Sequence, residues 1–369
     1  MMRTALVAVL FLFAAPANAV DYRVEATPGR IQALIGSGRL VAGDRIVLGS
    51  GRHGAIVIDG LKFNVPVVVT TEQGMRPILD RLVIRKSAGW RIEGLSVTPS
   101  NDMKSNGALV EIQQGREIYL DRLTVTSADD SSNWSAAKWR KSARNGIMIS
   151  GRDITVANSL IRNVRHGISS HAVDAKIENN VIEKFSGDGI RGLGDNSDYI
   201  GNTIDTCVGV GNNHDDGFQS WSLDSRGRPG KGTVRNVRVE RNLIRNGKHR
   251  LNCNLQGIGL FDGIYEDWVI RANTVIVDHW HGITVMGARR VLISKNTVVD
   301  SNPGSPGAPW ITITAHKNGR ISEDSVIEQN ITQPWAGKRN GQFKQPQPGV
   351  RSSGNRTVAT PQEALSIRR

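Results

Sequence analysis

The stretch NSLIRNVRHGISSHAVDAKIENNVIEKFSGDGIRGLGDNSDYIGNTI, residues 158–204, decides the fold. It sets Asn158, Asn180 and Asn202 at intervals of 22 residues, each followed by a leucine-rich or β-branched run. That interval is too short for an independent domain and matches one turn of a solenoid, in which each turn buries its apolar side only against its neighbours. The asparagine returns at Asn242, Asn273, Asn296 and Asn330. A second series runs in step with it: Asn145, His166, Asp188, Asp216, Gln256 and His281 each precede a glycine and an apolar residue that open a short strand.

The distance from asparagine to the next of these glycines is 9 residues for Asn158, Asn180 and Asn273, but 15 for Asn202 and Asn242. Two adjacent coils therefore carry six extra residues at one corner, which predicts a pair of loops walling one face. The first holds His214, Asp215 and Asp216. Cys207 and Cys253 fall one in each loop; a disulfide in an oxidising compartment and two buried free thiols both fit.

Composition sets the setting. Residues 1–19 read as a signal peptide, with Arg3, an apolar stretch from Ala5 to Ala15 and the small-residue site Ala17-Asn18-Ala19. Export to the periplasm or the medium is expected, as a monomer with no membrane contact after signal removal. The net charge of +13 favours a polyanionic partner. No basic tract of five or more occurs, which argues against nucleic acid and for an acidic polysaccharide, with a merely solvated basic surface as the bland alternative. Residues 20–350 are expected to form the solenoid domain and 351–369 a tail. Thr27-Pro28 predicts an N-capped helix covering the first coil. Thr360-Pro361-Gln362-Glu363 reads as a capping box at the other end, after a Gly-, Pro-, Asn- and Gln-rich stretch from Gly337 to Asn355.

The coil length, the asparagine runs, the helical cap and the opening Val41-Ala-Gly-Asp-Arg-Ile-Val-Leu48 resemble a right-handed parallel β-helix of the pectate-lyase-like superfamily, an all-β fold. The segment around Asp44 is similar to the start of the alginate lyase and chondroitinase B group. The resemblance implies stacking, and chemistry has to be read from the site.

With Ile147, Ile168, Ile190, Phe218, Ile258 and Ile283 pointing inward, alternation places two columns outward. One is Met148, Ser169, Arg191, Gln219, Gly259 and Thr284; the other is Ser150, His171, Leu193, Trp221, Phe261 and Met286. The preceding glycines are expected to leave a shallow trough for a sugar backbone. Within it Arg191, His171, His214, Asp188, Asp215 and Asp216 are the candidate catalytic groups, and Gln219, Trp221 and Phe261 the candidate substrate contacts. Trp134 and Trp139, in an insertion at 129–144, are expected either to extend the groove or to sit in an ordinary surface loop. As turn residues, Asp188 and Asp216 could equally bond their own backbone, and His166 and His281 are read as structural.

Three chemistries fit. In a uronate lyase or carbon-five epimerase, Arg191 would neutralise the substrate carboxylate while His171 or His214 takes the neighbouring proton. Asp188, Asp215 and Asp216 could instead supply oxygens to a calcium ion. His214-Asp215-Asp216 also resembles, in altered order, a run of mannuronan epimerases. Asp188 with Asp215-Asp216 is similar to the outline of a polygalacturonase-like hydrolase, with two carboxyls as acid and base. A glycan-binding β-helix without catalysis is the fourth reading.

Overall fold

The structure is a computed structural model and describes residues 19–100, 107–211, 214–302, 307–333 and 348–367. Residues 1–18 of the signal segment and 334–347 of the Gly/Pro-rich stretch lie outside the described residues. Among the described residues no helix is long and apolar enough to cross a membrane.

The chain coils into stacked parallel strands on three faces. On the face that carries the site, Ile147–Ala157, Ile168–Ser170, Ile190–Gly192, Asp216–Trp221, Gln256–Asp262, His281–Met286 and Trp310–Thr314 stack in sequence order. Ile147, Ile168, Ile190, Phe218, Ile258, Ile283 and Ile311 are in register and buried, so the inward column is as expected. A second face stacks Lys176–Glu178, Asp198–Ile200, Arg238–Glu240, Val269–Arg271 and Leu292–Ser294. The third stacks Leu160–Val164, Val181–Phe185, Thr203–Cys207, Leu243–Arg245, Thr274–Val277 and Thr297–Asp300.

Between the second and third faces the asparagines form a buried ladder. Asn180, Asn202, Asn242, Asn273 and Asn296 each receive the backbone N–H and the side-chain amide of the asparagine or serine one coil earlier, or its backbone N–H alone at Ser159. Each also donates across the corner to a carbonyl, as Asn242 does to Tyr199 at 2.9 Å. This satisfies the polar backbone of a corner that no water reaches. Asn158 is outside the ladder, contrary to the sequence reading. It is exposed, with φ 52°, at the left-handed corner that Asn179 fills one coil later, and Ser159 holds the ladder position.

Helix α1, Arg30–Ile35, packs Ile31, Leu34 and Ile35 on the core. Gln32 exchanges two hydrogen bonds with the backbone of Val57, at 3.0 and 2.8 Å, pairing groups at the first coil. Thr27 is not its cap: Pro28 and Gly29 make a turn closed by Arg30 N–H on Thr27 O, and the helix starts after Gly29, whose φ is 84°. Asp44 is buried and accepts the N–H groups of Val20 and Val41, both at 2.8 Å, so this residue ties the start of the first coil. Helix α2 is Ala136–Ser142 and helix α3 is Pro361–Ser366. Thr360 caps α3 by accepting Glu363 N–H, and Glu363 accepts Ala359 N–H in return. Strands continue to Thr357, pairing Val350–Ser353 and Arg356–Thr357 onto the preceding coil.

Candidate functional site

A repeated local rule builds the site. On each coil of this face the strand-opening residue points outward, the glycine and the next residue both turn inward, and the residue three on points outward again. Glycine is required because a Cβ at Gly189 would enter the space of Ile204 Cγ2, and one at Gly217 that of Ile244 Cγ2. The glycines therefore line the interior, and the expected trough of exposed glycines is absent: period-2 alternation fails where the chain bends into the strand. Two successive inward residues bring i and i+3 together on the outer surface. Arg191 Nε donates to Asp188 Oδ2 at 2.6 Å, Gln219 Nε2 to Asp216 Oδ2 at 2.9 Å, and His281 Nδ1 lies 2.9 Å from Thr284 Oγ1.

The outward column Met148, Ser169, Arg191, Gln219, Gly259 and Thr284 is in register across six coils. The second column is not. The register shifts after Ser220, so that Trp221 pairs with Asp262 rather than Phe261. Phe261 nevertheless reaches the site: its ring and Asp216 Oδ1 both occupy the space over Gly259. Trp221 packs on Arg191, with the guanidinium carbon 5.3 Å from the ring centre.

Asp188 and Asp216 are buried one coil apart, and Asp216 N–H donates to Asp188 Oδ1 at 3.0 Å. Burial raises the Asp188 carboxyl, opposed by Arg191. Asp216 is pushed well above the usual carboxylate range by burial, then by the charges of Asp188 and Asp215. Its Oδ1 is buried with no hydrogen-bond partner among the described residues. Arg191 keeps 25% of its side chain exposed, enough to meet a ligand. His171 is at the solvent edge, and partial burial followed by the Arg191 charge lowers its pKa. His166 is buried as expected for a structural group. Its Nδ1 accepts Asp188 N–H at 2.9 Å, and burial holds its pKa down to about 3.

His214 and Asp215 line a pocket of about 370 Å³ at the foot of the two inserted loops, with Gly209, Asn252, Asn254 and His279. His214 Nδ1 lies 3.2 Å from Gln256 Nε2. The loops are joined by the disulfide Cys207–Cys253, with Cα atoms 5.7 Å apart. Gln256 and His279 were missed by sequence reasoning. Gln256 had a signal in its place directly after Asp216 in the strand-opening column; burial and His214 lower the His279 pKa to about 4. A larger hollow, of about 860 Å³, lies on the N-terminal coils among Lys62, Phe63, Lys86 and Arg116, with Glu117 as its one carboxylate. It lacks the buried carboxyl pair and imidazoles that mark the candidate site.

Three expectations change. Trp139 is fully buried in a satellite cluster with Val208 and Ala143, and Trp134 packs on it edge to face at 5.2 Å. Both pack with Val208 and Val210 of the first loop and Leu251 of the second, so the insertion buttresses the two loops. For calcium, the one group of three ligating side chains that converges among the described residues is Cys207, Asp215 and Cys253, and the disulfide consumes two of these. Asp188 is already engaged by Arg191 and a backbone N–H. The three aspartates do not fit a calcium cage, which needs six to eight oxygens.

Residues 145–305 match the family model described as right handed beta helix region. No curated protein matches the sequence significantly. Among solved structures, the Dettilon tailspike protein aligns with TM-score 0.61 at 14% identity, over 90% of this chain and 66% of its own. A lacto-N-biosidase from Eubacterium ramulus aligns with TM-score 0.57 at 12% identity, over 92% of this chain and 68% of that one. A PL6 family alginate lyase aligns with TM-score 0.55 at 14% identity, over 91% of this chain and 51% of that one. The chain thus spans about two thirds of the tailspike and half of the lyase. Stacking, register and these likenesses agree on the fold: a right-handed parallel β-helix.

Proposed function

We propose that the protein is an exported enzyme that cleaves an acidic, uronate-containing polysaccharide by β-elimination on the outer face across the coils of His171, Arg191 and Gln219. The observation that carries this is a cation held on a buried carboxylate, with an imidazole on the preceding coil that feels its charge. Arg191 is held by buried Asp188 and packed on Trp221, yet part of it faces solvent. Partial burial, and then the Arg191 charge, lower the His171 pKa from the usual imidazole range. A uronate carboxylate on Arg191 would have its charge offset, so that the carbanion developing at the adjacent carbon is stabilised. His171 would take that carbon's proton, the C–O bond to the leaving sugar would break, and the electron pair would form the C=C bond. The leaving oxygen would collect a proton from the imidazolium or water. Trp221 and Phe261 would stack on sugar faces. The alginate lyase among the similar structures lends support of a weaker kind.

A hydrolytic reading has one observation of its own. Asp216 is a buried carboxyl raised well above its ordinary value, with Oδ1 unpartnered among the described residues, which is what a general acid needs. Incubation of the mature protein with alginate, polygalacturonate, hyaluronan and chondroitin separates the two, with ultraviolet absorbance and reducing ends followed together. β-Elimination raises both. Reducing ends without absorbance would transfer the reaction to the carboxyls, and neither signal on any acidic polymer would remove the proposal.

A further inference from the structure

The excess positive charge is unevenly placed on the folded chain. On the coil faces most arginines are matched to a carboxylate on a neighbouring rung, as Arg238 is to Asp198, Arg271 to Glu240, Arg245 to Asp205 and Arg290 to Asp267. The flank formed by α2 and the second inserted loop is different. Lys138, Arg140, Lys141, Lys184, Lys248 and Arg250 gather there, and among the described residues none of the six is in an ion pair. Contacts between the segments hold them together. Arg140 donates to Val210 O on the first loop, and Arg250 donates to Trp134 O at 2.7 Å. Trp139 meets the His249 ring at 6.3 Å, and the charges of Arg250 and Lys184 both bear on His249. Lys138 lies over the Trp134 ring at 5.8 Å. The nearby carboxylates, Asp129 and Asp130, are exposed, and Asp130 is bonded to Ser132.

We propose that this flank is a docking platform for an acidic polysaccharide strand, separate from the face of Arg191 and leading to it over the loop wall. Several cations that stand outside any ion pair among the described residues, with Lys184 alone feeling the charge of Asp130, and that rest on a tryptophan-packed support, offer sites for a polyanion at low ordering cost. The platform adjoins the site because Val208, Val210 and Leu251 pack on Trp134 and Trp139, while Gly209, Gly211 and Asn252 of the same loops line the pocket of His214 and Asp215. A long chain gripped there has a raised local concentration at the face of Arg191. The identity of the occupant rests on the reading of the substrate as an acidic polymer; the binding test does not depend on cleavage.

Lys138→Glu/Lys141→Glu reverses two exposed charges on the platform, and Arg320→Glu/Arg351→Glu reverses two exposed charges elsewhere, giving the same change in net charge. Both pairs are made in the Arg191→Ala background to prevent turnover, and binding to immobilised polygalacturonate and alginate is measured against dextran. The platform pair should weaken binding to the acidic polymers about tenfold and the remote pair less than twofold, with melting temperatures unchanged. Without the Arg191 substitution, the platform pair should raise KM for polymer while leaving turnover of a tetrasaccharide as it was. Equal weakening by the two pairs would mean that net charge alone is read and would overturn the platform, as would equal retention on dextran or no binding to either acidic polymer. If the polymers bind in this pattern but are not cleaved, the platform stands and the lyase reading falls.

Discussion

Replacing Asn242 by alanine tests what holds the coils in register. Asn242 is 3% exposed. Its Oδ1 accepts Asn202 N–H at 2.8 Å and Asn202 Nδ2 at 3.0 Å, and its Nδ2 donates to Tyr199 O at 2.9 Å and Asn273 Oδ1 at 3.0 Å. Two of these partners survive the change. Asn202 Nδ2 keeps Ile177 O, and Asn273 Oδ1 keeps the backbone N–H of residue 242. Asn202 N–H and Tyr199 O lose their Asn242 partner in a dry corner, at about 1–3 kcal/mol each. The expected cost is therefore about 2–6 kcal/mol, measured as a loss of unfolding free energy in urea. Asn242→Asp keeps the shape but turns a donor into an acceptor facing two other acceptors, and should be at least as damaging. Asn179→Gly is the control. That residue is exposed with a φ of 55°, which glycine adopts readily, so its loss should stay below about 1 kcal/mol. If Asn242→Ala and Asn179→Gly differ by less than about 0.5 kcal/mol, the ladder contributes nothing to stability and the reasoning fails.

Three further outcomes are expected. Because the His171 pKa is lowered, its neutral form persists as pH falls below the ordinary imidazole value near 6.5, so the acid limb of kcat/KM should lie below that pH; a limb at or above it would remove His171 as the base. Gly257→Ala would drive a Cβ into Gly282 O and Val275 Cγ1, which should cost about 1–3 kcal/mol or more in urea unfolding; a neutral result would contradict the inward placement of the glycine series. Trp139→Ala should cost about 3–5 kcal/mol and speed amide exchange in both inserted loops, since it empties the cluster behind them; unchanged loop protection would show that the buttress does not brace the wall.

The parallel stack was legible because the inward isoleucines and the ladder asparagines recur once per coil, and only a stacked coil gives both a use. The pairing of Cys207 with Cys253 was one of two readings that spacing allowed, and it needed the loops folded side by side to be decided. Other features depended on local geometry that no periodicity carries. Asn158 and Asn180 look equivalent in sequence, yet the first takes the left-handed corner and leaves the ladder to Ser159. Alternation placed Arg191 and Gln219 outward, but it missed the double inward step at glycine that brings Asp188 and Asp216 beneath them. Trp134 and Trp139 looked like sugar platforms because aromatic residues beside lysines suit both a groove and a buried brace. Their burial depends on Val208 and Leu251, distant in sequence.

The central claim is that Arg191, and not the Asp216 carboxyl, carries the charge stabilisation in the reaction. Arg191→Ala and Asp216→Asn, each checked for an intact fold by circular dichroism, should be compared for turnover of whichever acidic polymer the wild-type protein cleaves. The account predicts a loss of about a hundredfold or more for Arg191→Ala and at most a few-fold for Asp216→Asn, which keeps its shape and a hydrogen-bonding group toward Gln219. Collapse of turnover in Asp216→Asn with activity retained in Arg191→Ala would contradict it and make the site a hydrolase built on the buried carboxyls.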